Sequence, residues 1–233
     1  MALPTTYLGT GVTFPIHAQS PRGRGFRTDA GVLVEVSPTQ IVKETFTNAS
    51  TIDTDGISAS HAGAASAGTT SMTIDGALAT GGVATLTPPR NVVITVTHAS
   101  SVVAMSGTIT GTRYGRSITE AWSVTATGTS KTFTGAVAFN TITAITEVIA
   151  ADASTNTIVA GDGKKIGLAV KASATTLVKE LEDGAAPTAG VVVPGSASAN
   201  ADPRGLYIPN STLNGALDFD VWYLCDNLST IYP

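Results

Sequence analysis

Residues 91–97 read NVVITVT, and residues 141–149 read TITAITEVI. Valine, isoleucine and threonine have branched β-carbons, which restrict χ1 and suit the pleated surface of a sheet. Similar short segments follow one another up to residue 168, at a spacing of roughly ten residues. Turns rich in Gly, Asn and Asp separate them, at 111–116, 128–131, 152–156 and 161–163. Short strands with this spacing are typical of an antiparallel β-sandwich.

The composition agrees with a β fold and indicates extensive contact with other molecules. Only 13% of the residues are charged, which is about half the share in ordinary soluble domains, and the mean hydropathy is +0.23. A free monomer normally stays soluble through many mixed surface charges. We therefore expect this chain to cover much of its surface with copies of itself or with a partner. The alternative is a neutral surface of well-hydrated Thr and Ser side chains.

The last strand predicted from the sequence has the cleanest alternation in the chain. Its inner face is expected to carry Leu217, Phe219, Val221 and Tyr223, and its outer face Asp218, Asp220 and Trp222. This period of two is the signature of a strand with one buried face. The single cysteine, Cys225, follows this apolar run and is interpreted as a small buried hydrophobic residue.

The chain divides into three parts by pattern. Residues 1–50 are interrupted by Pro and Gly yet carry aromatic side chains, which predicts an extended N-terminal arm with a short strand at 32–36 and a helix-compatible piece at 38–44. Residues 51–87 are a low-complexity run of Ala, Ser, Thr and Gly, interpreted as a linker or surface loop. Residues 88–233 form the predicted sandwich. The predicted fold class is therefore all-β, with little helix.

No arrangement of side chains in the sequence predicts catalysis or cofactor binding. The three histidines, His17, His61 and His98, lie in unlike segments without a second ligand at metal spacing. Asp152, Asp162 and Asp183 fall in predicted turns, where Asp bonds to the local backbone. GDGK at 161–164 lacks the full glycine pattern of a phosphate loop and is interpreted as a hairpin turn. We expect no enzymatic activity, no cofactor and no metal site.

Charge and hydropathy argue against two other classes of partner. The net charge is −4, and the 13 basic residues form no dense tract, so nucleic-acid binding is not expected. No stretch approaches the roughly 18 apolar residues of a membrane span. The N-terminal residues lack the pattern of a signal peptide, so we expect the protein in a cytoplasm or in particles assembled there.

Candidate partner contacts come from the arm and from a repeated tripeptide. Aromatic and aliphatic residues without periodicity suit an arm laid across another surface; they include Tyr7, Phe14, Ile16 and Phe26. The same segment could instead fold onto its own domain. Pro-Arg-Gly occurs twice, around Arg22 and Arg204. An exposed guanidinium between a rigid and a flexible residue can bind a carboxylate in bidentate fashion, although turn chemistry alone could also produce the repeat.

Several motifs between residues 88 and 225 resemble, in their order, a β domain common among structural proteins of tailed bacteriophages. They are PRNV at 89–92, SGTITGT at 106–112, SITE at 117–120, AFNTITAI at 138–145, GDGKKIGL at 161–168, DPRGLYIP at 202–209 and NG at 214–215. The resemblance implies a virion component of the capsid cement, or decoration, type. Its expected partners are the major capsid protein and copies of itself, arranged as a homotrimer on the capsid surface.

A second resemblance covers about twenty-five residues at the start of the chain. YLGTGVTFPI at 7–16, followed by PRG at 21–23, is similar to the opening of baseplate wedge proteins that initiate the sheath of contractile tails. That family continues with an acidic helical stretch, where this chain reads VEVSP at 34–38. A tail or baseplate component is therefore one alternative function, and a head-fibre or receptor-binding adhesin is another.

Overall fold

The computed structural model describes residues 24–27, 33–36, 40–149, 151–195 and 204–225, and it describes only the backbone of 24–27, 33–36 and 40. All regular secondary structure within these residues is β-strand. The strands are β1 (Arg24–Arg27), β2 (Leu33–Val36), β3 (Gln40–Phe46), β4 (Ser58–Ala62), β5 (Gly68–Ser71), β6 (Ala79–Thr80), β7 (Val83–Thr97), β8 (Met105–Arg113), β9 (Arg116–Val124), β10 (Ser130–Ile149), β11 (Thr157–Gly167), β12 (Leu177–Glu182), β13 (Val191–Val193), β14 (Leu206–Ile208) and β15 (Phe219–Cys225). The all-β prediction is confirmed. The described residues contain no helix that could cross a membrane.

The strands form one large sheet, one small sheet and a separate two-stranded pair. In the large sheet the order is β13-β14-β11-β7-β10-β8-β9, with β4 on β11, β5 on β10 and β6 on β7. All its pairings are antiparallel, and the sheet curls into a half-barrel. The small sheet has the order β12-β15-β3, and β1 pairs with β2. The arrangement is sandwich-like, as the sequence predicts.

The hairpin between β8 and β9 ends the large sheet and has a two-residue turn. Tyr114 and Gly115 both have positive φ, at 48° and 81°, which is the left-handed pair that a type I′ turn requires. Arg113 pairs with Arg116 across the turn, and the register runs without a shift to Met105 opposite Val124. The turn thus fixes which residues of β9 bond to β8.

Two hydrophobic cores fill the fold. The first core lies within the curled sheet and is mostly aliphatic; its fully buried members include Ile57, Val92, Ile94, Val96, Ile109, Phe139, Ile142, Ile145 and Ile158. The second core lies between the small sheet and the β11, β13 and β14 region, and it is richer in aromatic rings; its members include Phe46, Ile166, Leu168, Val192, Tyr207, Phe219, Val221 and Tyr223. In this core the Phe46 and Tyr207 rings are stacked, with their centroids 6.1 Å apart.

Strands β3, β4, β5 and β6 lie where the sequence predicts other structure. The helix-compatible piece at 38–44 is largely strand β3, because it pairs with β15 from Phe46–Phe219 to Gln40–Cys225. The predicted linker at 51–87 contributes β4, β5 and β6 to the large sheet. The sheet therefore begins well before residue 88. Of the predicted N-terminal arm, residues 1–23, 28–32 and 37–39 lie outside the described residues.

The predicted turn at 161–163 is also corrected. These residues lie inside β11, which pairs with β7 from Thr157–Thr97 to Asp162–Val92 before the register shifts. A Cβ on Gly161 would lie 2.0 Å from the carbonyl oxygen of Asp53. Glycine is therefore needed for this close backbone approach and not for a turn.

Candidate interaction surface

Charged side chains inside the protein join distant segments of its own chain. Arg90 on β7 is fully buried and bonds through Nη2 to Asp162 on β11, while its Nη1 donates to the Ser50 carbonyl at 3.0 Å. The second carboxylate oxygen of Asp162 accepts from the Asp53 amide at 2.7 Å. A buried pair of this kind is tolerated because each charge is hydrogen-bonded. Asp162 was predicted to be a turn residue and is instead part of this buried pair.

A second buried guanidinium joins the large sheet to the segment around residue 205. Nη2 of Arg113 donates to the Leu168 carbonyl and, at 2.9 Å, to the Gly205 carbonyl. Burial lowers the pKa of Arg113 to about 9. Arg204 donates through Nη1 to the Arg113 carbonyl at 3.4 Å, and its guanidinium lies 4.8 Å from the centre of the Tyr114 ring.

Two carboxylates hold the small sheet against the rest of the fold. Glu44 on β3 accepts hydrogen bonds from the Ala169 and Val170 amides, both at 2.9 Å, and from the Tyr223 hydroxyl. Glu180 on β12 accepts from the Gly190 amide at 2.6 Å and from the Tyr207 hydroxyl. Burial raises the pKa of both tyrosines, and their glutamate partners raise it further. The orientation of the small sheet therefore depends on directional polar bonds as well as on packing.

The opposite side of the small sheet faces solvent, and we call it the outer face. Strand alternation directs Val42, Glu44 and Phe46 inward, and leaves the intervening residues exposed. The outer face consists of Ile41, Lys43 and Thr45 on β3, Asp220, Trp222 and Leu224 on β15, and Lys179 and Leu181 on β12. Ile41 is 60% exposed, the highest value among the exposed large hydrophobic residues of the described chain.

Trp222 occupies the centre of the outer face. It pairs with Lys43 on one side and with Lys179 on the other, so the three side chains form a row across the three strands. Both ammonium groups lie 4.9 Å from the centre of the indole ring, within the range of a cation–π interaction. The ring is thereby held in place at the surface, between two positive charges.

Asp220 anchors one end of this row. Its carboxylate accepts from the Thr45 hydroxyl at 2.5 Å and lies 2.9 Å from the Lys43 ammonium. These two contacts lower the pKa of Asp220. Lys43 is thus partly neutralised, whereas no carboxylate lies within ion-pair distance of Lys179 among the described residues. The outer face combines an ordered aromatic ring, aliphatic side chains and a cation that is available to an acidic group.

A separate polar cluster lies on the large sheet. Nε2 of His61 on β4 is 2.7 Å from Oε1 of Glu147 on β10, and the Thr70 hydroxyl on β5 donates to Oε2 at 3.2 Å. The hydrogen bond with Glu147 raises the pKa of His61, against the opposing effect of burial. The cluster links three strands. No group of three or more metal-ligating side chains occurs within the described ranges.

Most of the predicted partner contacts lie outside the residues whose side chains the structure describes. Tyr7, Phe14, Ile16 and Arg22 lie outside the described residues, and Phe26 lies in β1, where only the backbone is described. Arg204 is 4% exposed. Its side chain is directed into the protein and not toward a partner, which corrects the exposed contact expected from the Pro-Arg-Gly repeat.

The outer face was found only in part from the sequence. The alternation of β15 correctly placed Trp222 and Asp220 opposite the buried side of that strand, and Cys225 is buried as predicted. Lys43 and Ile41 were missed because their segment was interpreted as helix. The signal that could have identified them is the alternation Ile41, Lys43, Thr45 against Val42, Glu44, Phe46.

Comparison of the chain with models of known families, with curated proteins and with solved structures found no match.

Proposed function

We propose that this protein is a non-enzymatic structural component of a tailed-bacteriophage virion, which binds the outer surface of the capsid and bridges neighbouring subunits. The observation that carries the proposal is the outer face of the small sheet. It exposes Ile41 and carries the half-buried Trp222 and Leu224, with Lys43 and Lys179 on either side of the Trp222 ring. The motif resemblance between residues 88 and 225 supplies the class of particle.

Adhesion through such a face is physically adequate for a cement. Each Å² of apolar surface that is buried contributes about 25 cal/mol, and an ordered aromatic ring loses little side-chain entropy on binding. The partner surface is expected to be apolar with an acidic group placed to meet Lys179. Although each contact is modest, many copies on one particle add their contributions and oppose the pressure of packaged DNA.

Polar bonds inside the protein also support a role in a particle under internal pressure. The buried pair Arg90–Asp162 joins two strands of the large sheet. The half-buried Glu44 and the buried Glu180 bond the small sheet to segments around residues 169–170 and 190. Such bonds fix the relative positions of the two sheets and hold the outer face in one orientation.

The proposal is tested by particle disruption. Capsids carrying the wild-type protein should survive a heat or osmotic challenge that releases DNA from capsids without it. Equal survival of both particles would contradict the cement function. Copy number is a second readout, since hundreds per particle favour the shell and a dozen or fewer favour the tail.

A matched pair of variants tests the surface itself. Ile41→Ser and Trp222→Ala on the outer face should each weaken binding to capsids at least tenfold, which corresponds to about 1.4 kcal/mol. Val191→Ser is the control, because Val191 is also an exposed aliphatic residue, at 52%, but lies on β13 of the large sheet. If the control weakens binding as much as the outer-face variants do, the surface is misassigned. Binding to host cells or glycans instead of capsids would favour the adhesin alternative.

A further inference from the structure

We propose that the outer edge of β9 pairs with β9 of a second copy of this chain, in antiparallel orientation about a two-fold axis. Strand β9 is the last strand of the large sheet and pairs only with β8 on its inner side. Among the described residues, no backbone group bonds to its outer edge. The proposal concerns a contact separate from the outer face.

The hairpin turn determines which backbone groups are unpaired. In a two-residue hairpin the residues that flank the turn, here Arg113 and Arg116, form a hydrogen-bonded pair. Pairs then alternate, so residues 116, 118, 120, 122 and 124 bond to β8. The amide and carbonyl groups of Ser117, Thr119, Ala121 and Ser123 point away from the sheet. A row of groups at this spacing is a template for one further strand.

This edge has few of the features that normally prevent such pairing, and its one inward-pointing charge, Glu120, accepts a hydrogen bond from the Ala136 amide. Edge strands are usually short, bulged, or protected by Lys or Pro. Strand β9 has nine residues, no register shift, and neither Lys nor Pro. On its solvent side Ser117, Ala121 and Ser123 are exposed and small. The other edge strand of the large sheet, β13, has three residues.

The side chains favour a second copy over a foreign peptide. Strand addition of a foreign peptide gains specificity from pockets that accept alternate side chains along the strand. Here the small side chains of Ser117, Thr119 and Ala121 line no part of the open groove, which reaches only the last two residues of β9, Ser123 and Val124. Identical antiparallel strands need only a compatible register. With Ala121 on the two-fold axis, Thr119 faces Ser123 of the second copy, and about six interchain hydrogen bonds form.

The same register avoids electrostatic conflict and places the second copy beside an apolar groove. Glu120 lies opposite Trp122 of the second copy, so no like charges face each other. An open groove of about 410 Å³, lined by Ser123, Val124, Thr125 and six other residues, begins at the end of β9. In this register Ser117 and Ile118 of the second copy lie opposite Thr125 and Val124, beside that groove.

The experiment measures molar mass by light scattering after gel filtration. The wild-type mass should be an even multiple of the 23.5 kDa chain mass. Ala121→Pro removes the outward amide without removing a bond to β8, so its mass should fall by half. Ala121→Thr keeps the amide and should retain the wild-type mass. A wild-type mass that is an odd multiple of the chain mass, such as a trimer, would overturn the two-fold pairing and leave the capsid proposal standing.

Two variants of opposite charge distinguish loss of the β9 contact from loss of the fold. Ala121→Lys and Ala121→Glu each place two like charges opposite each other at the axis, so each variant alone should show half the wild-type mass. An equimolar mixture places opposite charges there and should restore the full mass. If the variants keep the wild-type mass, or the mixture stays at half, β9 is not the contact.

Discussion

The two hydrophobic cores of the described residues differ in the interactions that hold them together. The first core, under the curled sheet, is dominated by aliphatic side chains such as Ile94, Ile109 and Ile142. The second core contains Tyr207 and Tyr223, whose hydroxyls donate to Glu180 and Glu44. Apolar packing is non-directional, whereas a hydrogen bond fixes an angle. The first core therefore supplies stability, and the second core sets the orientation of the small sheet and its outer face.

The largest effect is expected from a cavity in the first core. Phe139 on β10 is fully buried, so Phe139→Ala should lower the free energy of unfolding by about 3–5 kcal/mol. Urea denaturation followed by circular dichroism measures the change. Phe139→Leu, which leaves a smaller cavity, should cost clearly less. A loss below about 1 kcal/mol for the alanine variant would contradict the importance of this core.

A smaller loss of stability, accompanied by a change at the outer face, is expected when the Glu44 carboxylate is removed from the second core. Glu44→Ala leaves the Ala169 and Val170 amides and the Tyr223 hydroxyl without this partner, which should cost about 2–3 kcal/mol. The fluorescence of Trp222 should change as well, because β3 and β15 are neighbours. Glu44→Gln retains one acceptor oxygen, so its free energy of unfolding should lie between those of Glu44→Ala and the wild type. An unchanged emission spectrum in Glu44→Ala would argue against an orienting role.

The polar cluster on the large sheet should make the stability of the protein depend on pH above about 6.5. The pKa of His61 is raised in the folded protein by its hydrogen bond with Glu147, so protonated His61 stabilises the fold. This contribution is fully present below the unfolded-state pKa of about 6.5 and disappears as the pH rises through the higher folded-state pKa. The melting temperature of His61→Gln should therefore fall below that of the wild type near pH 6, and the gap should narrow above that pH. A gap that stays constant up to about pH 9 would exclude this linkage.

The smallest change in stability is expected on the outer face. Because Ile41 is 60% exposed, Ile41→Ser should alter the free energy of unfolding by no more than about 0.5 kcal/mol. The same urea titration applies, with Phe139→Ala as the reference for a large loss. A decrease of more than about 2 kcal/mol in the free energy of unfolding would show that Ile41 stabilises the fold itself and does not serve only as a partner contact.

The parts of the fold that could be predicted from sequence are those with a local signal. The alternation of β15 and the Val/Ile/Thr pattern of β10 each reveal a strand, because every second side chain enters a core. Strand β3 was missed because its local composition also suits a helix. Its state is decided by pairing with β15, which lies about 180 positions away. Tertiary pairing overrode a weak local preference.

The buried charges illustrate a second limit. Asp162 stands in GDGK, which read as a turn, and its partner Arg90 lies 72 positions earlier. In β9, Ile118, Trp122 and Val124 share one side of the strand with Glu120, and this carboxylate obscures the apolar alternation in the sequence. The carboxylate is tolerated there because it accepts a hydrogen bond from the Ala136 amide at 2.5 Å. Such partners are set by three-dimensional contact and leave no periodic trace in the sequence.

The position of β15 between β3 and β12 has a consequence for how the protein is made. The middle strand of the small sheet is the last strand of the described chain, whereas one of its neighbours, β3, begins at residue 40. During translation, β3 must wait unpaired until its partner strand, Phe219–Cys225, has left the ribosome. The large sheet, whose strands β7 to β11 follow one another closely, can assemble earlier. The outer face therefore forms only after β15 has been synthesised, so fragments that stop before residue 219 cannot present it to a particle.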